Sequence, residues 1–308
     1  SSGVVESYSL KRGSRQWKFK TGGTVYSTPD TSDGRVVVGS SDGWIYCLDI
    51  TDGKPLWKFQ TFSAVVACPR IHDNTVYIGG GDGRFRAISL ADGKLKWEYP
   101  GINAFVETKP LVTDDKVIFG AWDTYLYALN VSDGSLAWRW SNGTLTLNLS
   151  PAACWPVAFG NRLFIVAPDR AMTAIDLSTG KELWRSKAHQ VREALGISND
   201  GSRVYAKCMN DTLFAFSSIS STGELLWATS CGYGYDIDPS MPMEKDGVVF
   251  FGHKNGTVFA LDASDGGIKW AYKVGNTIVN TVAPINQHSV VVTDFDGKVM
   301  LIENTSKD

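Results

Sequence analysis

Seven tryptophans recur along this chain at Trp17, Trp57, Trp97, Trp138, Trp184, Trp227 and Trp270, separated by 40, 40, 41, 46, 43 and 43 residues. A glycine stands four positions before each, at Gly13, Gly53, Gly93, Gly134, Gly180, Gly223 and Gly266. Self-similarity at such a period marks an array of supersecondary units, each too small to bury its own apolar face without a neighbour. Within the first unit, Val25–Pro29 is a short extended run, followed by the turn Ser32-Asp33-Gly34 and the apolar run Val36–Gly39. A second turn, Ser41-Asp42-Gly43, leads into Trp44–Asp49, and a third, Thr51-Asp52-Gly53, into the strand that carries Trp57. Four runs of β-forming residues joined by Asp-Gly turns are a four-stranded meander. No stretch carries a helical period of useful length.

The pattern predicts an all-β chain, a seven-bladed β-propeller with four-stranded antiparallel blades. Closure is predicted from the ends. The last unit runs through Val299–Ile302, and its tryptophan would fall near residue 311, whereas a spare outer strand, Gly13–Phe19, lies at the amino terminus. That strand is expected to complete the last blade and hide both sheet edges. Residues 1–10 are then expected as a linker or stub, and residues 11–308 as one propeller domain.

Composition narrows the function classes. The formal net charge is −2, and no run of Lys or Arg exceeds two residues, so the basic stripe of a nucleic-acid surface is missing. No apolar run reaches the ~18 residues of a membrane span. The five cysteines, Cys47, Cys68, Cys154, Cys208 and Cys231, include no C-x-x-C pair and are expected as small buried hydrophobes. The four histidines stand apart, and the Asp-Gly steps fall at predicted hairpins rather than in calcium loops. No metal and no cofactor is expected.

The unit Gly256–Trp270 resembles the repeat of the pyrroloquinoline-quinone (PQQ)-like propellers, and the resemblance covers nearly the whole chain. It implies that the seven repeat tryptophans dock between neighbouring blades. Quinone enzymes of that superfamily carry an adjacent cysteine pair that this chain lacks, so quinone-dependent dehydrogenase activity is not expected. The outer-membrane assembly lipoprotein of the superfamily is nearer in function, although it has eight blades. Gly120–Leu129, Ser150–Val157 and Val191–Glu193 look like propeller domains of exported Bacteroidetes-type proteins, some of which follow a metallophosphoesterase domain.

Departures from the repeat point to a surface. The loops entering the inner strands and those joining second to third strands are bland in the first two units and polar and aromatic in the third to sixth. The candidate ligand site at the channel mouth is Glu107, Lys109, Trp122, Arg192, Glu193, Tyr235, Asp236 and Lys254, with Phe105, Asp123, Lys207 and His253 nearby in the same loops. No catalytic residue is assigned, although Glu107, Glu193 and Asp236 are the carboxylates an acid–base mechanism would use. The reading favours a non-catalytic binding or scaffold domain of an exported bacterial protein, periplasmic, outer-membrane-associated or extracellular. Its expected partner is a protein, a peptide, a glycan or a neighbouring domain, and not nucleic acid or the bilayer interior. An enzyme of polysaccharide lyase or hydrolase type and a receptor's sensory domain are the alternatives.

Overall fold

The computed structural model describes residues 3–235 and 240–304. The chain divides into two compact units, Ser1–Trp155 and Pro156–Asp308. Among the described residues the first unit holds a two-stranded sheet and three four-stranded meanders, spanning residues 30–60, 70–99 and 111–140. The second holds three four-stranded meanders, at 157–186, 191–235 and 243–273, and a three-stranded sheet at 279–303. All pairs are antiparallel and consecutive in sequence. Second strands are the most apolar and the deepest: every residue of Thr75–Gly79 and of Val248–Gly252 is buried. Among the described residues only two short 3-10 turns, Leu147–Leu149 and Pro151–Ala153, interrupt the strands.

The repeat glycines and tryptophans form a clasp between successive sheets. Gly53, Gly93, Gly134 and Gly266 have φ of +71°, +72°, +73° and +77°, a conformation that only glycine adopts at little cost. Each lies flat against the preceding sheet's tryptophan, where a Cβ would approach the ring of Trp17, Trp57, Trp97 or Trp227 to within 2.4–2.8 Å. The indole nitrogens donate to the carbonyl just beyond the next sheet's third strand: Trp17 to Ile50 (2.8 Å), Trp57 to Leu90 (2.8 Å), Trp97 to Val131 (2.8 Å) and Trp227 to Ala263 (3.1 Å). Trp184 packs on Gly223 in the same way, but the matching carbonyl of Ser218 accepts from the Arg162 guanidinium instead. Its indole nitrogen is buried without a partner.

The amino terminus departs from expectation. Val4–Tyr8, read as part of a linker, is a strand paired with Arg15–Lys20, with Ser7 across from Trp17. It is built like a third strand of the repeat. Gly3 has φ +64°, as Gly43 and Gly83 have +84° and +69°, and its carbonyl accepts from Thr21 as that of Gly43 does from Thr61. Val5 is buried with Trp17, Val36, Val38 and Leu48. The Trp17 strand therefore finds its ladder in Val4–Tyr8, and Val299–Glu303 finds its own in Ser289–Asp294. The sheets number eight among the described residues, where the repeat tryptophans number seven.

Replacing Trp227 by alanine removes a ring that is 8% exposed together with its hydrogen bond. The expected loss is about 3–5 kcal/mol, read as a lower denaturant midpoint at unchanged slope. A shift below ~1 kcal/mol, the effect of an ordinary surface change, would mean that the clasp is not structural.

Candidate functional site

In an antiparallel meander the loop between second and third strands and the loop leading to the next first strand fall at the same end of the sheet. A repeated aspartate holds this end together in the first unit. Asp42 accepts from the Gly22 amide at 2.8 Å and the Tyr46 hydroxyl at 2.7 Å. Asp82 accepts from the Phe62 amide at 3.2 Å and the Arg86 guanidinium at 2.5 Å. Asp123 accepts from the Asn103 amide at 3.2 Å and the Tyr127 hydroxyl at 2.6 Å. Burial works to raise the Asp82 pKa, and the hydrogen bond and charge of Arg86 outweigh it, leaving the carboxyl below its ordinary value. Burial and the Asp42 carboxylate together push the Tyr46 hydroxyl up to about 12. Asp123 is thereby a loop staple, equivalent to Asp42 and Asp82.

The candidate residues fall into two groups. In the first unit the Trp122 indole donates to Glu107 at 3.0 Å, and the Phe105 ring lies 5.7 Å from that of Trp122. Lys109 faces Asp30 at 3.6 Å rather than Glu107, and Asp30 also accepts from the Ile71 amide. In the second unit Glu193 forms ion pairs with Arg170 at 2.6 Å and with Arg192 at 3.4 Å. These two residues open the first strand of their sheet, Val191–Ile197, at the end away from the turn 199–202. Lys254 lies over the Tyr235 ring at 5.2 Å. Asp236 lies outside the described residues.

Two residues of the same loops are interior. Lys207 is 1% exposed and donates to the Gly252 carbonyl at 2.9 Å, and His253, also buried, packs against Tyr233 with ring centroids 4.7 Å apart. Both are framework. Among the described residues no group of three His, Cys, Asp or Glu side chains could hold a metal ion. No helix among them is long and apolar enough to cross a membrane.

The structure adds a feature that the sequence reading passed over. The 46-residue interval between Trp138 and Trp184 holds an insertion after Leu136–Trp140. It is pinned at several points: Asn142 donates to the Leu149 carbonyl at 3.1 Å, and Ser150 accepts from the Thr124 amide at 3.0 Å. At its tip Leu145 is 96% exposed and Leu147 58%. The insertion occupies the same end of its sheet as Phe105 and Trp122. Phe62, in the corresponding loop two sheets earlier, is 79% exposed. Fixed loops that hold large apolar side chains in water are the signature of a contact surface. The long interval was the signal in the sequence that could have located it.

The family model described as outer membrane protein assembly factor BamB matches residues 1–148, 139–221 and 216–306. The chain belongs to the BamB family. A BamB from Yersinia pestis is 30% identical over 125 residues, 37% of this chain and 30% of that protein. The BamB of Burkholderia pseudomallei is 25% identical over 147 residues, 48% of this chain and 35% of that one. The matched stretches thus span about a third of the length of these relatives. The crystal structure of BamB from Moraxella catarrhalis superposes with a TM-score of 0.77 at 20% identity, covering 99% of this chain and 90% of that one. A computationally designed protein, Ika8, superposes with a TM-score of 0.84, also at 20% identity, over 98% of this chain and 91% of its own. The fold is a PQQ-like β-propeller.

Arg192→Ala together with Glu193→Ala removes the ion pairs of Glu193 with Arg170 and Arg192 without touching the ladder that begins again at Leu195. Strand content by circular dichroism should be unchanged. A loss of folded structure would make this cluster part of the framework, alongside Lys207 and His253.

Proposed function

We propose that this chain is a non-catalytic, protein-binding propeller that acts at the outer membrane, on its periplasmic side, within outer-membrane protein assembly. Membership of the BamB family supports the setting, since the relatives are described as outer membrane protein assembly factors. The observation that carries the binding role is the pinned insertion with Leu145 and Leu147 in solvent, at the same sheet end as Phe105 and Trp122. Exposed leucines on a loop held by side-chain hydrogen bonds have little conformational entropy left to lose on association. The flanking Glu107, hydrogen-bonded to Trp122, gives that apolar patch a polar rim. The Arg170–Glu193–Arg192 cluster and the Lys254–Tyr235 pair form a second, charged set suited to partner selection rather than to affinity. Glu107 and Glu193, the two described carboxylates considered for acid–base chemistry, are each committed to their own neighbours, and they support binding better than turnover.

Photo-crosslinkers at positions 145 and 147, in cells of the source organism, test this reading. They should capture components of the outer-membrane assembly machinery, and Leu145→Asp with Leu147→Asp should reduce co-purification of that machinery at least tenfold with the fold intact. Crosslinks from the opposite sheet ends, at Asp33, Asp73 and Asp114, with none from the insertion, would contradict it.

A further inference from the structure

The seven repeat tryptophans lie on outer strands: Arg15–Lys20, Pro55–Gln60, Leu95–Tyr99, Leu136–Trp140, Glu182–Ser186, Leu225–Tyr235 and Ile268–Lys273. Each is the terminal strand of its sheet, so along one edge no strand pairs with it among the described residues. Such an edge invites pairing with another chain, and charged side chains are the usual guard against it. Six of these strands are five or six residues long, and each of the six contains at least one charge. Leu225–Tyr235 has 11 residues and no charge. It lies in mid-chain, between the complete sheets at 157–186 and 243–273.

The charges stand at specific places. When two copies of a strand pair antiparallel about a twofold axis, the residue on the axis lies across from its own copy. Residues equally spaced on either side of it also face each other. With the axis through the residue that follows each tryptophan, Lys18, Lys58, Glu98, Arg139 and Arg185 would each meet their own copies. About Ala271, Lys269 would meet Lys273. Like charges directly opposite are destabilising. The same charges leave a strand of neutral or opposite character unopposed, so what they bar is self-pairing. At Ala228 that bar is lifted.

The pairs about Ala228 also match in size. Leu225 would meet Cys231, Leu226 would meet Ser230 and Trp227 would meet Thr229, a large side chain against a small one each time. Trp227 and Thr229 are already held to the next sheet through the Ala263 and Gly266 carbonyls, so pairing needs no rearrangement there. Leu225 and Leu226 are 38% and 44% exposed and stand to be covered. The register with Asn210–Ser217 slips between Ser230 and Tyr235, where Gly232 and Gly234 take φ of +63° and +74°. The regular edge is therefore Leu225–Cys231, with Ala228 at its centre.

We propose that Leu225–Cys231 is a self-docking edge, on which two copies of this chain join antiparallel about a twofold axis through Ala228. The sheet at 191–235 then continues into that of the second copy. This interface is independent of the loop surface described above, which lies at sheet ends rather than along an edge.

Charge exchange tests it. Ala228→Lys and Ala228→Glu are made in the whole chain, and both should fold, because Lys58, Arg139 and Glu98 hold the equivalent position in other sheets. Sedimentation velocity should show a concentration-dependent dimer of the unchanged chain, with the amides of residues 225–231 gaining protection from hydrogen exchange as it forms. Each variant alone should dimerise at least tenfold more weakly. An equimolar mixture of the two should recover the dimer, because only there does a positive charge face a negative one. A chain that stays monomeric while these amides exchange freely would overturn the proposal, as would a dimer that neither variant weakens. Protection already present in the dilute monomer would assign the edge to another segment of this chain. Variants that dissociate without recovery on mixing would place Ala228 off the axis. Either of these results would likewise overturn it.

Discussion

The indole of one sheet lying on a glycine of the next is the contact on which the rest of this structure depends. A four-stranded sheet with apolar second and third strands cannot stand alone in water. It needs a neighbour on each face at a fixed distance. The Trp97–Gly134 contact sets that distance twice over. The ring fixes it by shape, because a Cβ on Gly134 would collide with it, and the hydrogen bond to Val131 fixes the ring's orientation. The positive φ of Gly134 lets the turn present its flat side to the indole. The same three elements recur at Trp17, Trp57 and Trp227, which is why the sequence tolerates wide variation elsewhere in each unit.

A framework fixed by its outer strands leaves the loop ends free to differ. In the first sheet of four strands the loops carry Gly22, Gly23 and Ser41, and in the second Phe62, Gly80 and Gly81. In the third they carry Phe105, Glu107 and Trp122, followed by the insertion that exposes Leu145. The aspartate staples at Asp42, Asp82 and Asp123 hold the loop bases, so variation is confined to the tips. The proposed binding chemistry at the loop tips and the clasp between outer strands are thus separable.

Most of the fold could be read from the sequence because the Gly-x-x-x-Trp period states the clasp directly. Val4–Tyr8 escaped because Glu6, Ser7 and Tyr8 break the apolar run that marks third strands elsewhere. The 14-residue interval from Gly3 to Trp17, shared by Gly43–Trp57, Gly83–Trp97 and Gly256–Trp270, carried the information instead. The site was less legible, because charge and aromaticity in a loop do not reveal depth. Lys207 and His253 look like Lys254 in sequence, yet they are buried, one hydrogen-bonded to a carbonyl and the other packed against the Tyr233 ring. Lys109 pairs with Asp30, about 80 residues away, a contact that only the stacking of sheets creates. Leu145 and Leu147 read as ordinary apolar residues until their exposure is known.

The dependence on the clasp is tested most directly by a double-mutant cycle on Trp97→Ala and Gly134→Ala, with stability measured by denaturant unfolding. Gly134→Ala harms the wild type by pressing a methyl group into the ring, and that harm should largely vanish once the ring is gone. The account predicts a coupling of roughly 1–3 kcal/mol, in the range for residues in direct contact. Additivity within about 0.3–0.5 kcal/mol, as for distant sites, would contradict it.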